Sequence, residues 1–142
     1  MRRPDPPTGD PPLVLVVDDD LDSRTLLETA LSISGYEVAT AVNGQDALNT
    51  ARRQHPCVIL LDLAMPVMDG FTFRAEQLRD TTLAHIPVIC VSGRYDAALV
   101  SGRMRVAACF PKPFDLEDVI SRVRQLIDQS PPDARQDRAR GR

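Results

Sequence analysis

At 142 residues and 43% hydrophobic content, the chain is long enough to form one domain around a single packed core. Its formal net charge of −3 disfavours a protein that binds nucleic acid through a broad basic face. The sequence has no apolar run as long as a membrane span, and its first residues lack the apolar core of a signal peptide. We therefore expect a cytoplasmic protein with no direct nucleic-acid or membrane partner.

The two ends of the chain differ in composition from its middle. Seven of the twelve prolines lie within residues 1–12 and 130–142, which have almost no large apolar side chains. Such segments cannot bury enough apolar surface to offset the entropy that is lost on folding. We predict disordered tails at 1–12 and 130–142 and one folded domain at 13–129.

Three cysteines are spread over the predicted domain, at Cys57, Cys90 and Cys109. Each lies in or beside an apolar run, and none forms the CxxC pair that is typical of zinc or redox sites. The odd number and the wide spacing favour buried free thiols.

The first predicted strand is the aliphatic run Leu13–Val17, which ends in the acidic cluster Asp18–Asp20. A continuous run of this kind is typical of a strand that is buried on both faces. A helix follows, with Asp22 or Ser23 as its predicted N-cap and Gly35 as its end. The strand therefore leads directly into a group of carboxylates.

The middle of the chain continues the alternation of strand and helix. The predicted strands are Tyr36–Val42 and Cys57–Leu61, and the predicted helices are about Gln45–Gln54 and Phe71–Arg79. Asp62 stands at the carboxyl end of the third strand, where the chain leaves the core. A carboxylate in that position is a candidate site.

The last third of the chain repeats the same pattern. The predicted strands are Val88–Val91 and Val106–Phe110, and the predicted helices are about Asp96–Met104 and a final one capped by Asp115. The final helix has the clearest apolar stripe, formed by Leu116, Val119, Ile120, Val123, Leu126 and Ile127. Ser92 and Lys112 follow the fourth and fifth strands.

Five alternations of strand and helix predict an α/β protein with a doubly wound parallel sheet, because right-handed crossovers place helices on both faces. In such sheets the working surface lies at the carboxyl ends of the strands. The side chains at those ends are Asp18, Asp19, Asp62, Ser92 and Lys112. We therefore expect one pocket that collects all five.

The predicted pocket has the chemistry of a phosphoryl-transfer site. Crowded carboxylates repel one another unless a cation lies among them, and hard oxygen ligands without cysteine or histidine suit Mg²⁺. Asp62 is the candidate nucleophile, Ser92 a candidate hydroxyl donor, and Lys112 a candidate counter-charge for the phosphoryl oxygens. Lys112 is the only lysine among 17 basic residues, and a compact ammonium at a strand end fits a phosphate contact.

Four motifs carry a resemblance to a known family. They are VVDDD at 16–20, LLDLAMPVMDG at 60–70, VICVSG at 88–93 and PKPF at 111–114. In this order they resemble the receiver domain of bacterial two-component response regulators, and the resemblance covers nearly all of 13–129. It implies a flavodoxin-like five-stranded sheet in the order 2-1-3-4-5 with five helices.

The resemblance also implies a function. Asp62 would accept a phosphoryl group from a histidine kinase or a histidine phosphotransfer protein, with Mg²⁺ as the cofactor. The implied metal ligands are Asp19, Asp62 and the backbone carbonyl of Ala64, while Asp18 would hold a metal-bound water. Ser92 and Lys112 would contact the phosphoryl group, and the Lys112–Pro113 bond would be cis. Such a protein is not an enzyme, beyond its own phosphorylation and dephosphorylation.

One position departs from the family pattern. The family has an aromatic switch residue three positions before the lysine, where this chain has Cys109, and Phe110 is predicted on the opposite face of the strand. Ser92 and Cys109 are therefore the predicted switch positions. The usual partner surface of the family is formed by the fourth helix, the fifth strand and the fifth helix. A downstream protein is expected to bind there, and the same surface could serve a homodimer.

Two other classes of protein share some of these features. A P-loop nucleotide hydrolase would need a GxxxxGK[ST] loop, and the only lysine lies in PKPF instead. A degenerate receiver that acts as a phosphorylation-independent interaction or dimerisation module remains the alternative, favoured by Cys109.

Overall fold

The computed structural model describes residues 11–93, 102 and 104–129, and strand and helix alternate along them. The strands are β1 (Leu13–Val17), β2 (Glu37–Ala41), β3 (Val58–Leu61), β4 (Val88–Ser92) and β5 (Ala108–Pro111). The helices of the described part are α1 (Leu21–Ile33), α2 (Gly44–Gln54), α3 (Gly70–Arg79) and α4 (Leu116–Gln129). All five predicted strands and four of the five predicted helices are therefore present.

The strands form one parallel sheet in the order β2-β1-β3-β4-β5, which confirms the predicted topology. Every residue of the three central strands, β1, β3 and β4, is buried. The edge strands β2 and β5 are only partly buried. Because helices cover the central strands on both sides, nearly all of their residues are apolar, and they form continuous aliphatic runs in the sequence.

Alternate residues of each strand face two separate cores. Leu15 and Val17 of β1 pack with α2 and α3, whereas Val14 and Val16 pack with α1 and α4. The period of two along a strand produces this division. The apolar stripe predicted for the last helix faces the second core.

The first three helices begin at polar caps. Asn43 and Asp69 accept hydrogen bonds from the backbone N–H of Asp46 and Thr72, both three residues on. Asp20 caps α1 in the same way, by accepting from the backbone N–H of Ser23 at 2.9 Å. The prediction that Asp22 or Ser23 caps this helix was wrong, because the helix begins directly after the turn that leaves β1.

The region before β5 differs in part from its prediction. β5 begins at Ala108 instead of Val106 and extends to Pro111. The predicted helix at about 96–104 lies outside the described residues, except that Gly102 and Met104 are helical. The predicted tails also lie outside them, apart from Pro11 and Pro12. No described helix is both long enough and apolar enough to cross a membrane.

A buried polar network ties α3 to the chain just before β5. Arg74 is 7% exposed, and its guanidinium donates to the backbone carbonyls of Met104 at 3.1 Å and Arg105 at 2.8 Å. It also donates to the side-chain oxygen of Gln77 at 2.7 Å. The amide nitrogen of Gln77 in turn donates to the carbonyls of Leu83 and Ile86, both at 3.0 Å. These side chains therefore hold the connections on either side of β4.

Candidate functional site

Three carboxylates meet where β1 and β3 end. Asp18 and Asp62 are 2% and 7% exposed, and Asp19 beside them is exposed. One oxygen of each carboxylate lies within 4.8 Å of one oxygen of the other two. The sheet sets this meeting directly, because Val17 pairs with Leu61 and the next residue of each strand is the aspartate.

Lys112 joins the carboxylates from the end of β5. Its Nζ lies 3.0 Å from an oxygen of Asp18 and 3.8 Å from an oxygen of Asp62. Its backbone N–H donates to the carbonyl of Ser92 at 3.1 Å, which joins the ends of β4 and β5. The peptide bond that follows, Lys112–Pro113, is cis, as the family resemblance implied.

The carboxylate of Asp18 is held from two sides. One oxygen accepts from the backbone N–H of Asp20 at 2.9 Å, and the other accepts from Lys112. Arg24 also donates to the backbone carbonyl of Asp18 at 2.9 Å. Arg24 is not among the site residues predicted from the sequence. The available signal was its place in the first turns of a helix that starts beside the acidic cluster.

The surroundings of Asp62 disfavour its charged form. Burial raises the pKa of Asp62 to about 6, and the neighbouring charge of Asp18 adds to the rise while Lys112 opposes it. Burial by itself lowers the pKa of Lys112, but its hydrogen bond and ion pair with Asp18, together with the charges of Asp62 and Asp20, outweigh that effect and raise it. Without further positive charge nearby, the ionised form of Asp62 is therefore destabilised.

The loop after β3 brings its backbone close to Asp62. The backbone N–H of Ala64 lies 3.4 Å from a carboxylate oxygen of Asp62. A Cβ on Gly70 would lie 2.7 Å from the carbonyl oxygen of Asp62 and 2.8 Å from Leu63 Cα, so only glycine fits there. At the tip of the loop Val67 is 85% exposed and has φ 68°, which is unusual for a β-branched residue.

The two predicted switch positions lie at different depths. Ser92 is 2% exposed and ends β4, level with Pro111 of β5. Cys109 is partly buried one layer deeper, paired in register with Cys90. Phe110 packs in the opposite core, as predicted, so no aromatic ring of β5 lies on the Cys109 side.

The donor set fits a divalent cation that prefers oxygen. Asp18, Asp19 and Asp62 supply three converging carboxylates, and this group includes no histidine or cysteine of the described residues. Burial and the neighbouring charge of Asp18 raise the pKa of Asp62, and a divalent cation bound among the carboxylates would favour its ionised form. The residues present are therefore suited to Mg²⁺.

The fold and this pocket together define a class of protein. It is a doubly wound α/β domain with buried carboxylates and a lysine at the carboxyl ends of the strands. The sequence model of the response regulator receiver domain matches residues 14–124. The chain belongs to this family, the receiver domains of two-component signalling.

Individual proteins that resemble this chain support the family assignment. The transcriptional regulatory protein PrrA of Mycobacterium tuberculosis is 40% identical over 119 residues, which are 82% of this chain and 50% of PrrA. The chain spans about half the length of several of the curated relatives it matches. Receiver domains of this kind act with histidine kinases and downstream effectors.

Two solved structures share the fold over nearly their full length. The chemotaxis response regulator CheY4 of Vibrio cholerae is 27% identical, with a TM-score of 0.74, over 81% of this chain and 98% of CheY4. The CheX–CheY–BeF3–Mg²⁺ complex from Borrelia burgdorferi is also 27% identical, with a TM-score of 0.75 over 84% of this chain and 92% of that one.

Proposed function

We propose that this receiver domain is a phospho-acceptor switch whose acceptor is Asp62. The observation that carries the proposal is the group formed by Asp62, Asp18 and Lys112, with Lys112 Nζ at 3.0 Å and 3.8 Å from the two carboxylates. A nucleophilic carboxylate beside a fixed cation is the arrangement that phosphoryl transfer to an acid requires. The expected donor is a histidine kinase or a histidine phosphotransfer protein, acting in the cytoplasm.

The residues divide the chemistry among them. A carboxylate oxygen of Asp62 attacks the phosphorus, the bond from phosphorus to the donor nitrogen breaks, and an acyl phosphate forms. Lys112 moves from its partner Asp18 towards the added phosphoryl oxygens, and the hydroxyl of Ser92 donates to them. Hydrolysis returns phosphate and the free carboxylate, so the chain catalyses only its own phosphorylation and dephosphorylation.

Magnesium is the proposed cofactor. Asp18, Asp19, Asp62 and the backbone carbonyl of Ala64 are the groups that would hold it. Bound Mg²⁺ neutralises the charge that spreads over the phosphoryl oxygens. The Borrelia burgdorferi complex that resembles this chain contains BeF3 and Mg²⁺, which supports the choice of metal.

The test is phosphorylation by a small donor. The purified chain is incubated with acetyl phosphate and Mg²⁺, and its intact mass is expected to rise by one phosphoryl group. Asp62→Asn should abolish the gain, and removal of Mg²⁺ with EDTA should do the same. Asp69→Asn is the matched control, because asparagine caps a helix as well as aspartate and leaves the pocket unchanged.

A degenerate receiver is the second candidate, favoured by one observation. Cys109 takes the place of the aromatic switch residue, and the ring of Phe110 packs in the other core. Such a module would bind a downstream protein or a second copy through β5 and α4 whatever the state of Asp62. Absence of any mass gain in the unmodified chain would favour this candidate over the switch.

A further inference from the structure

Cys90 and Cys109 lie side by side on adjacent strands. They are register partners of the parallel pair β4 and β5, so both side chains project from the same face of the sheet. Both belong to the core beneath α2 and α3, and the Cys90 thiol is hydrogen-bonded to the Cys109 sulfur. Cys57 packs in the opposite core and has no part in this contact.

The spacing of the strands suits a bridge between these two thiols. Neighbouring strands lie about 4.8 Å apart, which falls within the range of about 4.4–6.8 Å between the Cα atoms of disulfide-bonded cysteines. The Cβ atoms must approach somewhat more closely than strand spacing, so the strands must draw together. β5 is the edge strand and has only one neighbour in the sheet, so it is the strand that can move.

The two thiols differ in their access to solvent. Cys90 is fully buried, whereas Cys109 is only partly buried and lies on β5, an edge strand of the sheet. A small oxidant can therefore meet Cys109 first. Burial raises the pKa of both thiols, but the hydrogen bond from Cys90 lowers that of Cys109. Cys109 is thus the better nucleophile of the two.

We propose that Cys90 and Cys109 form a two-thiol redox site that small hydroperoxides convert to a disulfide joining β4 to β5. The Cys109 sulfur attacks the peroxide, the O–O bond breaks, and a sulfenic acid and one molecule of water or alcohol result. The Cys90 sulfur then attacks that sulfur and releases water. The two sulfurs lose two electrons in all, the peroxide gains them, and both thiol protons leave in the products.

The bridge would lie just beneath the proposed phosphorylation pocket, and its formation requires no residue of that pocket. Cys90 is two residues before Ser92, and Cys109 is three residues before Lys112. Because the bridge pulls the strands together, we expect it to be strained and readily reduced. Oxidation would thus change the spacing of β4 and β5 next to the pocket that holds the proposed acceptor, Asp62.

The test is a peptide map of the whole chain. The reduced protein is treated with hydrogen peroxide, denatured, alkylated and digested with trypsin, which cuts after Arg94 and Arg105 and so separates the two cysteines. We expect one of the three thiols, Cys57, to be alkylated, and a disulfide-linked peptide pair that contains Cys90 and Cys109. Dithiothreitol should restore alkylation of all three.

Two variants sharpen the test. Cys57→Ala should retain the bridge, whereas Cys90→Ala should leave Cys109 to stop at sulfenic or sulfinic acid. Full alkylation of both Cys90 and Cys109 after peroxide would overturn the proposal, and so would a disulfide that involves Cys57. The map of the unmodified chain decides the question even if a variant fails to fold.

Discussion

Ionisation of the Asp62 carboxyl lowers the free energy of unfolding. Asp62 is buried beside Asp18, and its pKa of about 6 lies above the ordinary 3.8 that the unfolded chain keeps. Below pH 3.8 the carboxyl is protonated in both states. Between about pH 4 and pH 6, the carboxyl of Asp62 keeps its proton in the folded state but has lost it in the unfolded state. The free energy of unfolding therefore falls as the pH rises through this range. Above about pH 6 the loss is complete and constant.

The prediction at this scale concerns Asp62→Asn. Asparagine removes the charge, so the variant should be more stable than the unmodified chain by about 1 kcal/mol at pH 7.5 without metal. The advantage should shrink as pH falls from 6 to 4, because the carboxyl then becomes neutral in the folded state. Urea unfolding in EDTA at several pH values measures it.

Asp115→Asn provides the control for this pH series. Asp115 lies in the turn that opens α4, outside the pocket, so its replacement should leave the pH profile unchanged. An advantage of Asp62→Asn that stayed the same from pH 4 to 7.5 would contradict the account, since only a titrating charge can produce the slope.

At the scale of the elements, Arg74 joins α3 to the chain before β5. Its guanidinium is buried and donates to two backbone carbonyls and to the side-chain oxygen of Gln77. Burial away from a counter-charge lowers its pKa. The three hydrogen bonds of the network compensate for the lost hydration of the guanidinium. By contrast, Arg79 on the same helix is exposed and forms a loose ion pair with Glu76 at 3.7 Å.

Arg74→Met should therefore destabilise the protein by about 2–3 kcal/mol, because it leaves the buried carbonyl of Met104 and the buried side-chain oxygen of Gln77 without this donor. Arg79→Met is the matched control and should change the stability by less than about 0.5 kcal/mol. Denaturant unfolding of the two variants measures the difference. Equal losses would show that the network contributes no more than a surface arginine.

At the scale of the whole molecule, a ligand that binds only the folded state stabilises all of it. If Mg²⁺ binds at Asp18, Asp19 and Asp62, a concentration of 100 times its Kd should add about 2.7 kcal/mol to the free energy of unfolding. The midpoint of thermal unfolding should rise with Mg²⁺, because the unfolded chain does not hold the three carboxylates together.

The matched pair for this measurement is Asp19→Asn and Asp22→Asn. Asp22 is an exposed acid in the first turn of α1, three residues beyond Asp19. The thermal shift should be lost in Asp19→Asn and kept in Asp22→Asn. The reverse pattern would place the cation at the surface of the helix instead of in the pocket.

Local pattern determined most of the fold in advance. The aliphatic runs of β1, β3 and β4 and the stripe of α4 are recognisable in the sequence because a buried strand or an amphipathic helix requires neighbouring residues of one kind. The same patterns predicted that Asp18, Asp62, Ser92 and Lys112 follow strands. β5 was placed two residues too early because its apolar run begins at Val106, whereas the pairing with β4 begins only at Ala108.

Only the tertiary structure decided which side chains meet. Lys112 and Asp18 are 94 residues apart in sequence and 3.0 Å apart in space. The pairing of Cys90 with Cys109 depends on the register of two strands, and the partners of Arg74 depend on the packing of α3. Composition and periodicity act over a few residues, whereas register and packing are set by contacts across the whole chain. The sequence by itself therefore determined the elements, and the folded sheet decided the distances between their ends.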